Sequence, residues 1–365
     1  MLSKQFPYEK FLKYKEVKDK ELLKLYKGEL NYVPVMQTPP SNIFGSICNT
    51  KEGSLDAQLD YLARYTELES DLAMTYLEPW HGVGLYAAAF GCKYEWSDHT
   101  SPQTRAIYET IDEVENLKYP SMKDCEIMNF ILDSIRYFKE QTGGQLDITI
   151  TDTQSPNDNA SLILDSCEFF VGTITEPERL ERFMNQITDL TIEFTEAQFE
   201  AIGNCLARPG HIMYSSKDLP GISISDDNMA VISPASYEVS ALPYNNRLSE
   251  HFGGLSIHTC GNFAATAPLV KQTKNLVVFD CALDLVADPT PNQARMVRET
   301  FKNTNTIVKT RLMHSNVELL KDLLYPDVKL AVHLFTGGTN DEMNRQWFEA
   351  KEKINKMYEE NRRES

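Results

Sequence analysis

The sequence predicts an α/β protein: a single (β/α)8 TIM barrel with an N-terminal helical extension. Three observations predict it. Eight short β-rich runs alternate with segments of helical periodicity across residues 31–365. No linker of disordered composition interrupts them. Polar and metal-capable residues recur where the runs end, as expected of a barrel mouth. At 365 residues with 42% hydrophobic content, the chain is long enough to build one such barrel.

Residues 1–30 form the extension, in which charges alternate with Phe11, Leu12, Leu22, Leu23 and Leu25, as in a solvated helix or helix pair packed on one face. The first strand is expected at 32–36, stopped by Pro39 and Pro40, and helical periodicity runs from 55 to 69. The second strand, 72–77, runs into Glu78-Pro79-Trp80-His81-Gly82. Helices are expected at 105–116 and 124–141, and Gly143-Gly144 punctuates the chain before a third strand at 146–151. A loop at 152–159 leads to one or two helices ending near Phe170. Glu176-Pro177-Glu178 opens a helix reaching Ala201, with proline in its first turn. The fourth strand, 222–225, ends in Asp226-Asp227, and one helix is expected from Ser233-Pro234 to His251. The fifth begins at Leu255 and ends in His258-Thr259-Cys260; the sixth, 276–279, ends in Asp280-Cys281. The last two strands are 306–312 and 328–335, and helices at 291–302, 316–324 and 341–359 complete the alternation.

The formal net charge of −17, with no basic block to offset it, argues against nucleic-acid binding. Seven widely spaced cysteines without a Cys-x-x-Cys pair fit reduced thiols in the cytoplasm. Met1 to Gln5 lead into lysine- and glutamate-rich sequence with no signal-peptide core, and no run approaches the roughly 18 apolar residues of a membrane span.

The chemistry centres on His258 and Cys260. Two residues apart on a strand, they share a face, which places an imidazole and a thiol side by side at its carboxyl end, as a soft metal site needs. The other strand ends contribute Gln37, Glu78, Asp152, Asp226, Asp227, Asp280, Cys281, Arg311, His314 and His333.

Several segments resemble the uroporphyrinogen decarboxylase superfamily, which holds tetrapyrrole decarboxylases, cobalamin-linked methyltransferases and a cobalamin-independent methionine synthase branch. They are Glu69-Ser70-Asp71-Leu72 with Glu78-Pro79-Trp80-His81-Gly82 and Ala87-Ala88-Ala89-Phe90-Gly91; Ser225-Asp226-Asp227 with Ile232-Ser233-Pro234 and Leu242-Pro243-Tyr244; and His258-Thr259-Cys260-Gly261-Asn262. The resemblance implies a (β/α)8 barrel with its site at the carboxyl-end mouth. It departs from the decarboxylases after the first strand, where an arginine-rich loop grips substrate carboxylates. Here the loop reads Met36-Gln37-Thr38-Pro39-Pro40-Ser41-Asn42, with no arginine before Arg64. The resemblance is therefore closer to the methyltransferase branch, where zinc is held by His-x-Cys and a later cysteine. His258 and Cys260 match the first two ligands, but Phe335-Thr336-Gly337-Gly338-Thr339 carries no cysteine. Cys281, at the next strand end, is expected as third ligand, with His333, Glu78 or Asp227 as alternatives.

The implied activity is zinc-dependent methyl transfer between a small methylated substrate or thiol and a cobamide carried in trans by a corrinoid protein. Asp71, Asp227 and Glu78 are the expected catalytic residues; Gln37, Asp152, Asp226 and Tyr86 are expected to bind substrate. The alternatives are a carboxy-lyase of tetrapyrrole metabolism, with Asp71 and Tyr86 near the substrate, and a non-catalytic small-molecule or corrinoid-binding protein.

Overall fold

The computed structural model describes residues 6–41, 43–97 and 101–364. The expectations for Met1–Gln5 and for Asn42 lie outside them. Eight parallel strands follow in chain order: β1 (Val35–Thr38), β2 (Tyr76–Leu77), β3 (Asp147–Ile148), β4 (Ile222–Ser225), β5 (Leu255–His258), β6 (Leu276–Ala282), β7 (Ile307–Met313) and β8 (Lys329–Phe335). Six of them make one continuous sheet in the order β1-β8-β7-β6-β5-β4, and β2 pairs with β3. Isolated bonds bridge the two seams. Ser225 N–H donates to the Thr153 carbonyl and Ser155 N–H to that of Ser225, joining the chain beyond β3 to β4. Asp71 N–H donates to the Val35 carbonyl, joining the approach to β2 to β1. Strand direction, chain order and neighbour order are those of a (β/α)8 barrel.

The strands form because β-branched and other apolar residues fill them on both faces, as buried parallel strands require. The helix Tyr8–Lys27 packs beneath the barrel, where Leu22 and Leu25 share a core with Met36, Tyr65, Ile307 and Ala331. Lys15, buried in that contact, reaches Asp147 at the start of β3 at 2.8 Å and also pairs with Asp19, so its charge is compensated.

Between β3 and β4 the chain makes an excursion with no counterpart in a plain barrel. Ala207 N–H bonds the Ile148 carbonyl and Ser223 N–H bonds the Pro209 carbonyl, so 207–209 lies between the two strands. Arg208 and Ser216 pair across a turn beyond it, which buries His211, Met213 and Tyr214. The Tyr76 hydroxyl holds that turn through the Met213 carbonyl at 2.7 Å.

Several helices differ from expectation for local reasons. The loop expected at 152–159 ends early, because Ser155 caps a helix Pro156–Ile163 with proline in its first turn. The helix expected at 105–116 is only Ile111–Glu115, since Gln103–Thr104 pairs with Tyr94–Glu95 in a hairpin. The single helix expected at 233–251 is two, Pro234–Ser240 and Leu242–Phe252, because Pro243 suits a first turn and not a helix interior. The expected helix at 316–324 is a 3-10 segment, His314–Leu320. Among the described residues no helix is long and apolar enough to cross a membrane.

Candidate active site

Strand register assembles the site. His258 on β5 stands opposite Asp280 on β6, and Asp280 opposite Lys309 on β7; one step toward the mouth, Arg311 stands opposite His333 on β8. Cross-strand partners share a face, so these side chains meet. His258 Nδ1 bonds Asp280 Oδ2 at 2.6 Å, while Arg311 Nε and Lys309 Nζ approach the same carboxylate at 3.0 and 3.2 Å. Burial alone would push the Asp280 pKa up, but Arg311, Lys309 and His258 together hold it well below the usual carboxylate range. With Nδ1 facing Asp280, Nε2 is the His258 atom turned toward Cys260, whose Sγ lies 3.4 Å away.

Asp227, just past β4, completes a cluster. One ligand atom each from Asp227, His258 and Cys260 lies within 4.8 Å of the others. The loops are pinned together: Cys260 N–H bonds Asp227 Oδ1 at 2.6 Å, and Asp158 accepts from the N–H groups of Asp227 and Asn228 at 2.7 and 2.9 Å. Gly261 permits the close approach, since a Cβ there would sit 2.7 Å from the Ala230 Cβ at a φ of +90°. Burial, then the Asp227 charge, pushes the Cys260 thiol up to about 12. A carboxylate and a thiol beside an imidazole nitrogen suit a divalent cation, which would displace the thiol proton on binding. A carboxylate behind the histidine is a common outer partner in such sites.

A second polar group stands at the same end of the barrel. His211, from the excursion, is set between two buried carboxylates: Nδ1 bonds Glu78 Oε1 at 2.6 Å and Nε2 lies 3.6 Å from Asp152 Oδ2. Burial opposes its charge, but Asp152 and Glu78 raise its pKa to about 9, while burial raises that of Glu78. Ser225 Oγ and Trp80 Nε1 donate to Asp152 at 3.1 and 3.4 Å. Glu78 opens on a cavity of ≈ 230 Å³ beside the β1–β2 seam, shared with Phe44, Tyr61, Tyr76, Arg311 and His333. Larger hollows, under the barrel near Gly28 and beside Cys92 and Cys125, hold none of these groups.

The structure thus brings Asp227, Glu78, Asp152, His258 and Cys260 to the mouth and places the other expected residues elsewhere. Cys281 is fully buried in the apolar core, and its neighbour Asp280 faces His258; alternation turns the thiol away. The same parity removes Gln37, whose amide is bonded to the Glu69 carbonyl and Asn344 outside the barrel, while Thr38 meets His333 Nε2 at 3.1 Å. Asp71 lies at the amino-terminal end of β1, accepting from Val35 N–H at 2.9 Å and paired with Lys351. Tyr86 is buried in the helix layer, edge-on to Phe194 at 6.0 Å. Asp226 is fully buried behind the site, with Asn245 donating to it at 2.9 Å; burial raises its pKa to about 6. The sequence reading missed His211, in a segment assigned to no element, and Lys309. The period-two pair Lys309-Thr310-Arg311 inside an apolar strand was the available signal for Lys309.

Residues 43–209 match the uroporphyrinogen decarboxylase (URO-D) family. Over that stretch, a little under half of its length, the chain is similar to the URO-D family. The match spans β2, β3 and the helices around them and ends before β4, so the His258–Cys260 strand lies outside it. Among solved structures, the fold is similar to a methyltransferase from Methanosarcina mazei. The TM-score is 0.65 at 15% sequence identity, covering 93% of this chain and 99% of that one. No curated protein matches the chain.

Proposed function

We propose that this URO-D-like protein is a methyltransferase that moves a methyl group between a small methylated substrate or thiol and a cobamide carried by a separate corrinoid protein. The observation that supports this most is the Asp227–His258–Cys260 cluster at the mouth, with Asp280 fixing the histidine proton behind it. The URO-D family match, and the methyltransferase name borne by a protein of similar fold, support it from outside the site. Zinc is the proposed metal, held by His258, Cys260 and Asp227; when bound it would keep a substrate thiol ionised, and so nucleophilic, near neutral pH. Asp227 takes the place first expected of Cys281. His258 offers Nε2, Cys260 its sulfur, and the Asp280–Lys309–Arg311 group keeps the imidazole oriented. Glu78 and Asp152 belong to the substrate side of the mouth.

The test is metal content of protein purified without chelators, together with demethylation of methylcobalamin by a simple alkyl thiol. One zinc per chain and thiol-dependent turnover are expected, both lost in His258→Ala and Cys260→Ala. Metal-free protein that leaves methylcobalamin unchanged would overturn the proposal.

A further inference from the structure

The cavity beside the β1–β2 seam has a character that the metal cluster does not explain. Four aromatic side chains, Phe44, Tyr61, Tyr76 and Phe335, line it beside the aliphatic Ile43, Met74 and Ile212. The Tyr76 hydroxyl is committed to the Met213 carbonyl, and the Gln58 side chain to the Glu78 backbone on both its nitrogen and its oxygen. Of the other polar groups in the wall, the Thr38 hydroxyl is engaged with His333 Nε2, while His333 Nδ1 has no partner.

Two charged side chains line the wall, Glu78 and Arg311, and they differ in what they leave free. Glu78 is the carboxylate that opens on the cavity, backed by His211 and, beyond it, Asp152. With the imidazole protonated, these three groups carry one negative charge in excess. Arg311, in the wall, and Lys309, behind it, are already engaged. Arg311 is held by Asp280 and the Thr259 carbonyl, and Lys309 by Asp280 and the Ile212 carbonyl. Burial, with Lys309 adding to it, keeps His333 neutral.

Aromatic faces and a desolvated carboxylate both attract a cation. A primary ammonium loses hydrogen bonds to water on entering and finds few acceptors here. A methylated ammonium spreads its charge over methyl groups that ask for none, so this wall suits it better. We propose that the cavity binds the tertiary or quaternary methylammonium group of a small substrate. This deepens the methyl-transfer reading, on which it rests, by naming the class of methylated substrate.

The test is calorimetric titration of the full-length protein, without cobamide, against choline and its uncharged isostere 3,3-dimethylbutan-1-ol. Saturable choline binding at one per chain is expected, with the isostere about tenfold weaker or more. Glu78→Gln should weaken choline about tenfold and leave the isostere unchanged, and Phe44→Ala should weaken choline more than the isostere, with circular dichroism reporting the fold. If Glu78→Gln does not fold, Phe44→Ala and the isostere comparison decide. Equal affinity for the two ligands, no saturable choline heat, or choline binding that survives both substitutions would each overturn the proposal. The zinc and thiol assays stand apart from this one. Methyl transfer without choline binding rejects the cation site alone, and choline binding without methyl transfer rejects the transfer reading alone.

Discussion

The position of one proton decides what His258 offers: given to Asp280 on Nδ1, it leaves Nε2 free on the Cys260 side. Three residue-level outcomes follow from such placements. Asp227→Asn should lower zinc retention along with Cys260→Ala, measured as metal per chain after dialysis, because each removes a donor of the cluster. Cys281→Ser should retain zinc and instead cost about 1–3 kcal/mol of stability in chemical denaturation, since it puts a hydroxyl in the apolar core. Zinc loss in Cys281→Ser with the barrel folded would return that cysteine to the ligand set. His211 carries a pH signature. Its folded pKa, about 9, lies above the ordinary 6.5, so its contribution is complete below pH 6.5 and is lost as pH rises through 9. Stability against thermal unfolding should therefore fall across that window by at most roughly 3 kcal/mol, and His211→Asn should flatten the fall.

At the level of elements, Asp71 works as a clamp. It satisfies Val35 N–H at the start of β1 and pairs with Lys351 on the helix Asn340–Glu364. Asp71→Ala should cost about 1–3 kcal/mol and release that helix to faster amide exchange, with zinc content unchanged; loss of zinc would show that the clamp also shapes the mouth. The ordering of the strands was legible, because apolar runs between turn residues mark them and polar residues mark their ends. What could not be read was parity. Strands covered on both faces are apolar throughout, so nothing in β1 says that Thr38 rather than Gln37 faces inward, and nothing in β6 separates Asp280 from Cys281. His258 and Cys260 escaped this ambiguity because their spacing puts both on one face whichever face it is. His211 was illegible for another reason: its partners Glu78 and Asp152 lie 133 and 59 residues away in sequence, and only the excursion between β3 and β4 brings them together.

On the scale of the whole molecule, shape and charge argue against a large anionic substrate. The mouth cavity of ≈ 230 Å³ is below the roughly 300–1,000 Å³ typical of drug-sized ligands. Arg311 and Lys309 are tied to Asp280, and the net charge is −17. Uroporphyrinogen, with eight carboxylates, should therefore show no decarboxylation in a product assay; turnover on the order of 1 per second would refute this. The floor under that cavity is itself worth following. Ile212 lines it from the turn that carries His211, a turn the strands hold through Tyr76 on the Met213 carbonyl and Lys309 on the Ile212 carbonyl. The depth of the cavity is then set partly by an insertion and partly by the strand ends around it. Loops accept gains and losses of residues more readily than strands do, so a few residues more or fewer between Ala207 and Ser216 would make the same barrel a deeper or shallower vessel while the metal donors stay where they are.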